Sequence, residues 1–277
     1  MKDKSLTIFS FPRPFVDSEK GKFKTIQENA ITSWTLVYPD AEIILFGNEL
    51  GTKEICEKLN LRNFPNASIN NYGTPYLNNL FEHAQQIANS DVLCYLHSDI
   101  VAIDNMMPVI EAARSRFNQF LILARRWDLF IEWKETVKES QELFLGPIDF
   151  DSDWKTFLET TINTSGRLRH PGSCDCYIFP KNLYPQGHIP AFLLGRQLWD
   201  GWIIFDASER GIPAIDASTF KILHQSHTRH KWGLLPQPQW EEEGRNNSLL
   251  AVGRKRRVDQ TPYFWENNEL KERHSHG

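Results

Sequence analysis

The chain has 277 residues, 40% of them hydrophobic and 24% charged, with a formal net charge of -4. That length holds one large α/β domain or two small ones with a substantial core. The slightly acidic balance gives no reason to expect nucleic acid or an acidic membrane as the main partner, and no apolar run approaches the roughly 20 residues that span a bilayer.

The N-terminus, MKDKSLTIFSFPRPF, lacks the apolar core and small-residue cleavage site of a signal peptide, so the expected location is the cytoplasm. Cys56, Cys94, Cys174 and Cys176 are scattered, and the C-x-C spacing suits neither a zinc knuckle nor a thioredoxin motif. Reduced structural thiols are expected. Aromatic residues make up 12%, including 9 Trp, a composition that serves carbohydrate sites as well as cores.

In chain order, Leu6–Phe11 reads as a first strand. Phe23, Ile26, Ala30, Trp34 and Val37 recur at helical spacing, and Tyr38-Pro39-Asp40 ends that helix. Ala41–Phe46 is a second strand, Thr52–Leu59 a short helix and Ala67–Asn71 a weak third strand. Thr74-Pro75 reads as a helix start, with Thr as N-cap and Pro at the first helical position. Val92–Leu96 is an apolar strand of the kind covered on both faces. It ends in His97, Ser98 and Asp99. Asp104 is expected to cap the next helix, and Phe120–Ala124 is another buried strand, ending in Arg125-Arg126-Trp127-Asp128. Strand and helix alternate through this half, which argues for a mainly parallel sheet with helices on both faces. The Rossmann glycine fingerprint and the P-loop pattern are absent.

The second half is less regular. Trp154, Phe157, Leu158 and Ile162 suggest a helix capped by Asp151 or Ser152. GSCDCYIF (172–179) is a turn feeding a strand, and Gly195–Ala207 is a helix with Asp200 near its start. Ala214–Asp216 and Phe220–Leu223 are short strands. Residues 1–235 form the expected domain. Residues 236–277 turn polar, with basic Arg254–Arg257, and read as a peripheral tail with some docked aromatics.

Four groups could carry chemistry. Asp99 with His224 and His227 could hold a divalent cation that neutralises a departing diphosphate, or each could be a turn residue. Asp200, between Trp199 and Trp202, is a carboxylate whose desolvation would make it a better base; the alternative is a helix-terminal Asp favoured by the macrodipole. Arg125 and Arg126 suit phosphate, or form a solvated charge pair with Asp128. Asp175 could hold acceptor hydroxyls, or simply stabilise its turn.

Taken together, LTIFSF, AEIILFGNELG, NYGTPYLNNLFEHA, YLHSDIV, ARRWDL, GSCDCYIFP, GRQLWDGW, PAIDAS and LHQSH resemble a GT-A-type glycosyltransferase, in order and spacing, from Leu6 to about Trp232. The resemblance implies a GT-A-like, Rossmann-like α/β fold with an acceptor-side C-terminal half. It also implies a metal-assisted, inverting transfer of sugar from a nucleotide-diphosphate donor to a hydroxyl acceptor, with Mn²⁺ or Mg²⁺. Carried over, Asp99 matches the last acid of the DxD-type metal motif, and His97 stands where the first acid often lies. His224 or His227 matches the metal-ligating histidine, and Asp200 the base. Phe11, Arg13, Asn48 and Glu49, at the ends of the first two strands, match nucleotide-holding positions. Ser98, Arg125 and Arg126 complete the expected nucleotide-sugar set, and Asp175, Trp199 and Trp202 the acceptor side. Two other readings remain open at this point: a catalytically silent nucleotide- or sugar-binding protein on the same scaffold, and a sugar-phosphate nucleotidyltransferase. FSFPRPFVDSEKGK is a poor match to the glycine-rich loop that the latter needs.

Overall fold

The computed structural model describes residues 5–18, 21–132, 141–225 and 236–273. Its strands are β1 (Thr7–Ser10), β2 (Asp17–Ser18), β3 (Gly21–Lys22), β4 (Glu42–Phe46), β5 (Arg62–Phe64), β6 (Val92–Leu96), β7 (Ile100–Ala102), β8 (Leu121–Ala124), β9 (Trp127–Glu132), β10 (Gln141–Glu142), β11 (Gly166–Leu168), β12 (Cys176–Pro180), β13 (Ala214–Asp216), β14 (Ile222–His224), β15 (Tyr263–Glu266) and β16 (Glu269–Glu272). The helices are α1 (Phe23–Val37), α2 (Thr52–Leu59), α3 (Leu77–Ile87), α4 (Met107–Arg116), α5 (Trp154–Ser165), α6 (Trp199–Glu209) and α7 (Gln237–Leu250).

The main sheet runs β16-β15-β13-β8-β12-β6-β1-β4-β5. Its strands β5, β4, β1 and β6 are parallel, as are β8, β13 and β15, and β12 lies antiparallel between the two groups. A smaller sheet runs β10-β9-β14-β7. The sequence-based expectation of a mainly parallel sheet covered on both faces therefore holds.

Alternation along the strands divides the core in two. Ile8, Ile43, Leu45, Cys94 and Leu96 face α1, α2, α4 and α5, while Phe9, Ile44, Phe46, Leu93 and Tyr95 face α3 and α6. Both faces are apolar at the centre of these strands, and β6 (VLCYL) reads as an unbroken hydrophobic run. Beneath α3 the rings of Phe9, Phe81, Tyr95 and Phe179 pack at centroid distances of 5.3 to 6.1 Å, and truncating one to Ala would cost about 3–5 kcal/mol.

Several local expectations are corrected. The third strand is Arg62–Phe64, not Ala67–Asn71: Asn63 Nδ2 donates to the Leu45 and Gly47 carbonyls, fixing that segment beside β4. Helix α3 starts at Leu77 with Tyr76 as N-cap, and the Thr74 amide is instead taken by the Asn70 side chain at 2.9 Å. Asp104 does not cap α4, because its carboxylate accepts the Lys221 amide at 2.7 Å; the N-cap is Met106. The α5 N-cap is Asp153, whose amide donates to Asp151. Residues beyond 235 extend the main sheet through β15 and β16, and Trp265 joins the core.

Candidate functional site

Strand β6 belongs to the main sheet and β7 to the smaller one, so the turn His97-Ser98-Asp99 lies where the chain crosses from one to the other. The Ile100 amide closes that turn on the His97 carbonyl at 3.0 Å, and Trp34 Nε1 from α1 donates to the Ile100 carbonyl at 2.8 Å. Gln27, also on α1, joins the turn to the end of β1. Its Nε2 donates to the Arg13 carbonyl at 2.9 Å, and its Oε1 accepts from the Arg13 amide at 2.7 Å and the Ser98 hydroxyl at 2.9 Å.

His224 closes the other side. In the smaller sheet it lies across from Asp128 in the parallel pairing and from Ile100 in the antiparallel one. That register sets its Nδ1 3.1 Å from Asp128 Oδ1 and its Nε2 3.5 Å from Asp99 Oδ2. Burial and the nearby Arg126 pull the imidazole pKa down, but hydrogen bonds to Asp128 and Asp99 outweigh them and raise it above its ordinary value. Asp128 is opposed by burial, yet His224, Arg126 and Arg169 hold its carboxyl well below the usual carboxylate range. Asp99 is partly accessible, its side chain 25% exposed.

Arg126 forks between two acids: Nε donates to Asp128 at 3.0 Å and Nη1 to Asp175 at 2.7 Å. Its side chain therefore acts as an internal counter-ion that spaces the carboxylates. The other oxygen of Asp175, Oδ2, is buried with no hydrogen-bond partner among the described residues, an orphan that a bound polar ligand would satisfy.

Asp200 sits in the first turn of α6, its Oδ1 accepting the Gly201 amide at 2.9 Å. Burial lifts its carboxyl to about 6, against that hydrogen bond and with help from the Asp175 charge. The preceding Trp199 stacks on His97, centroids 5.9 Å apart and planes 26° apart, which links α6 to the Asp99 turn. Burial pulls the His97 pKa below its ordinary value against Asp175 and Asp99, and this imidazole stands where the resemblance expects an acid. Gly201 packs closely under the following loop: an added Cβ would meet Lys255 Cβ at 3.1 Å and the Arg256 carbonyl at 3.4 Å.

The other expected residues fall into two groups. Phe11 and Arg13 follow β1, and Asn48 and Glu49 follow β4, at the carboxyl edge of the main sheet, where open α/β sheets bind ligands. Burial lowers the Arg13 pKa, with Asp99 opposing and Arg196 reinforcing, so Arg13 shares the charge environment of the Asp99 turn. Burial raises the Glu49 carboxyl. Arg125 is turned toward Ser218 and the Arg169 carbonyl, and Trp202 faces the core against Phe192 and His188. His227 lies outside the described residues.

Sequence reading did not single out Gln27, Arg169 or Arg196. Each acts through pairing with a residue far along the chain, and no local motif marks it. Two surface cavities of about 250 and 300 Å³ contain none of Asp99, Asp128, Asp200 or His224. The carboxylate cluster, rather than cavity size, marks the site.

Among the described residues no group of three or more His, Cys, Asp and Glu side chains is arranged to hold a metal ion by itself. Asp99 and His224 nevertheless fit a cation shared with a ligand. One hard oxygen and one imidazole nitrogen face each other, and Asp128 on Nδ1 orients the ring, as outer-shell carboxylates do for ligating histidines.

No family model matches the chain, and no curated protein matches it. Solved structures do resemble it. A mycobacterial protein aligns with 13% identity and a TM-score of 0.50 over 91% of this chain and 75% of that one. Glucosyl-3-phosphoglycerate synthase from Mycobacterium tuberculosis, solved with Mn²⁺, UDP and phosphoglyceric acid, aligns with 11% identity and a TM-score of 0.48 over 91% and 78%. The 4-diphosphocytidyl-2C-methyl-D-erythritol synthase of Anaerococcus prevotii aligns with 10% identity and a TM-score of 0.42 over 88% and 99%. At these identities the likeness is one of fold. That fold is mixed α/β with a large, mostly parallel central sheet. No described helix is long and apolar enough to cross a membrane.

Proposed function

We propose that this chain is a glycosyltransferase that moves a sugar from a nucleoside-diphosphate donor to a hydroxyl acceptor with inversion. The observation that carries the reading is Asp200. Its carboxyl is lifted to about 6 by burial, and the adjacent Trp199 stacks on the ring beside Asp99. A base poised near neutrality is what a hydroxyl nucleophile requires.

In this reading Asp200 takes the proton of the acceptor hydroxyl. The acceptor oxygen bonds to the anomeric carbon as the bond from that carbon to the diphosphate oxygen breaks, and the nucleoside diphosphate leaves. Arg13, Asn48, Glu49, Phe11 and Ser98 hold the nucleotide end. Arg126 bridges Asp128 and Asp175 and holds them apart. Asp175 and Trp199 orient the acceptor side. Asp99 and His224 would hold a divalent cation, which when bound would offset charge on the departing diphosphate. The likeness to solved structures supports the fold alone, so the reading rests on the side chains.

Incubation with UDP-, GDP-, CMP- and dTDP-sugars tests it. Turnover of one donor class is expected, lowered about 10²–10⁴-fold in Asp200→Asn while nucleotide still raises the melting temperature of that variant. Nucleotide binding without turnover of any donor would instead assign a binding protein.

A further inference from the structure

Helix α7 is docked inside out. Its buried residues are Glu243 and Asn247, one turn apart, followed by Ala251 just past its end. Glu243 accepts from Arg196 Nε and Asn70 Nδ2, both at 2.6 Å. Asn247 exchanges hydrogen bonds with the Leu193 backbone at 2.8 and 3.0 Å. The aliphatic residues point the other way: Leu249 is 74% exposed, Leu250 36% and Val252 69%. Helices on a folded domain ordinarily turn leucines inward and acids outward.

The chain then turns sharply, with the Arg254 amide on the Ala251 carbonyl at 2.9 Å and Gly253 at φ +66°. This brings Arg254, Lys255, Arg256 and Arg257, all exposed, directly after the aliphatic tip. Arg257 pairs with Asp259. Arg254, Lys255 and Arg256 have no ion-pair partner among the described residues. In a chain of net charge -4, this is a local reversal of sign.

We propose that Leu249, Leu250, Val252 and Arg254–Arg256 form a docking surface for an anionic lipid bilayer. Apolar side chains at the tip enter the interface while the adjacent cations meet the lipid headgroups. A soluble polyanion would engage the cations but would leave the exposed aliphatic cluster without a role, so the bilayer accounts for both features. The Arg256 amide also donates to the Gly201 carbonyl at 2.9 Å, beside Asp200. Resting on the transfer reading above, docking would turn the acceptor side toward a hydroxyl carried at the membrane surface.

Sedimentation with vesicles tests the surface without any sugar transfer, so its outcome is separate from that of the enzymatic reading. The full chain should sediment with vesicles of phosphatidylcholine mixed with phosphatidylglycerol, not with phosphatidylcholine alone, and binding should weaken with salt. The triple variant Arg254→Glu, Lys255→Glu, Arg256→Glu should bind at least about a hundredfold more weakly, at about fivefold per charge removed. The pair Leu249→Ser, Val252→Ser should lose about tenfold or more. All five positions are exposed, so unchanged melting curves are expected and verify folding. Absence of binding to the anionic vesicles would overturn the proposal. So would binding insensitive to the serine pair and displaced by inorganic polyphosphate, which would assign the patch to a soluble anion.

Discussion

His224 stands across from Asp128 in the parallel pairing of β14 with β9, and its Nδ1 lies 3.1 Å from that carboxylate while its Nε2 faces Asp99 at 3.5 Å. One imidazole thus joins a buried acid to an accessible one. Asp128→Asn keeps the shape but removes the charge that orients the ring. Mn²⁺ affinity in the presence of nucleotide, read by calorimetry, is expected to fall about 10–100-fold. Unchanged affinity would show that Asp128 does not position a ligand. Wild-type Asp128 has a depressed carboxyl, so it adds stability above about pH 4 that is lost as acid protonates it. Acid unfolding of Asp128→Asn should be correspondingly less steep.

Asp200 carries the opposite sign. Its folded carboxyl is raised from 3.8 to about 6, so the native state binds the proton more tightly than the unfolded chain, and stability falls as pH rises across that interval. The cost is fully present above about pH 6. Asp200→Asn cannot ionise, and at pH 8 it should be more stable than wild type by at most about 2–3 kcal/mol, with no gain below about pH 4. Urea melts at the two pH values check this. The wild-type rate should in turn fall on the acid side with a midpoint near 6. A midpoint near 4 would remove Asp200 as the base.

Arg196 and Glu243 pair at 2.6 Å with side chains only 9% and 1% exposed. Removing the guanidinium strands a buried carboxylate, so Arg196→Ala should cost about 3–5 kcal/mol and loosen α7. The double variant Arg196→Met, Glu243→Met should recover most of that loss. Chemical unfolding with proteolysis of α7 as a second readout measures both. Equal damage from the single and double changes would mean that packing, not charge, holds the helix.

Gly47 closes β4 at φ +94°, and an added Cβ would lie 2.7 Å from the Phe11 ring. Gly47→Ala should lose about 1–2 kcal/mol to left-handed strain. Because Phe11 must swing away, nucleotide affinity should fall as well, and a thermal-shift titration reads both effects. Lost stability with unchanged affinity would remove Phe11 from the nucleotide site.

Hydrophobic spacing is legible locally. Apolar spacing of Phe23 to Val37 forms α1, and the unbroken Val92–Leu96 run forms a strand buried on both faces. Asp99 and Asp200 stood out because each ends or starts an element, and acids there interrupt an apolar pattern. Ala67–Asn71 misled because strand propensity is weak evidence next to a neighbour: β4 accepts Asn63 of Arg62–Phe64 instead. The polar Thr74-Pro75 helix start failed because Asn70 captures the Thr74 amide.

The sequence by itself determined the alternation of elements, the two-faced parallel sheet and the acids at its carboxyl edge, since these follow from side-chain periods of two and 3.6 within short windows. Only the tertiary structure decided which acid meets which base. Sheet register between β9 and β14 brings Asp128 to His224 across nearly a hundred residues, and the fork of Arg126 selects Asp175. Helix α7 shows the same division. The sequence reads this segment as a polar tail, but the buried acid Glu243 pairs with Arg196 and docks the helix with its leucines outward.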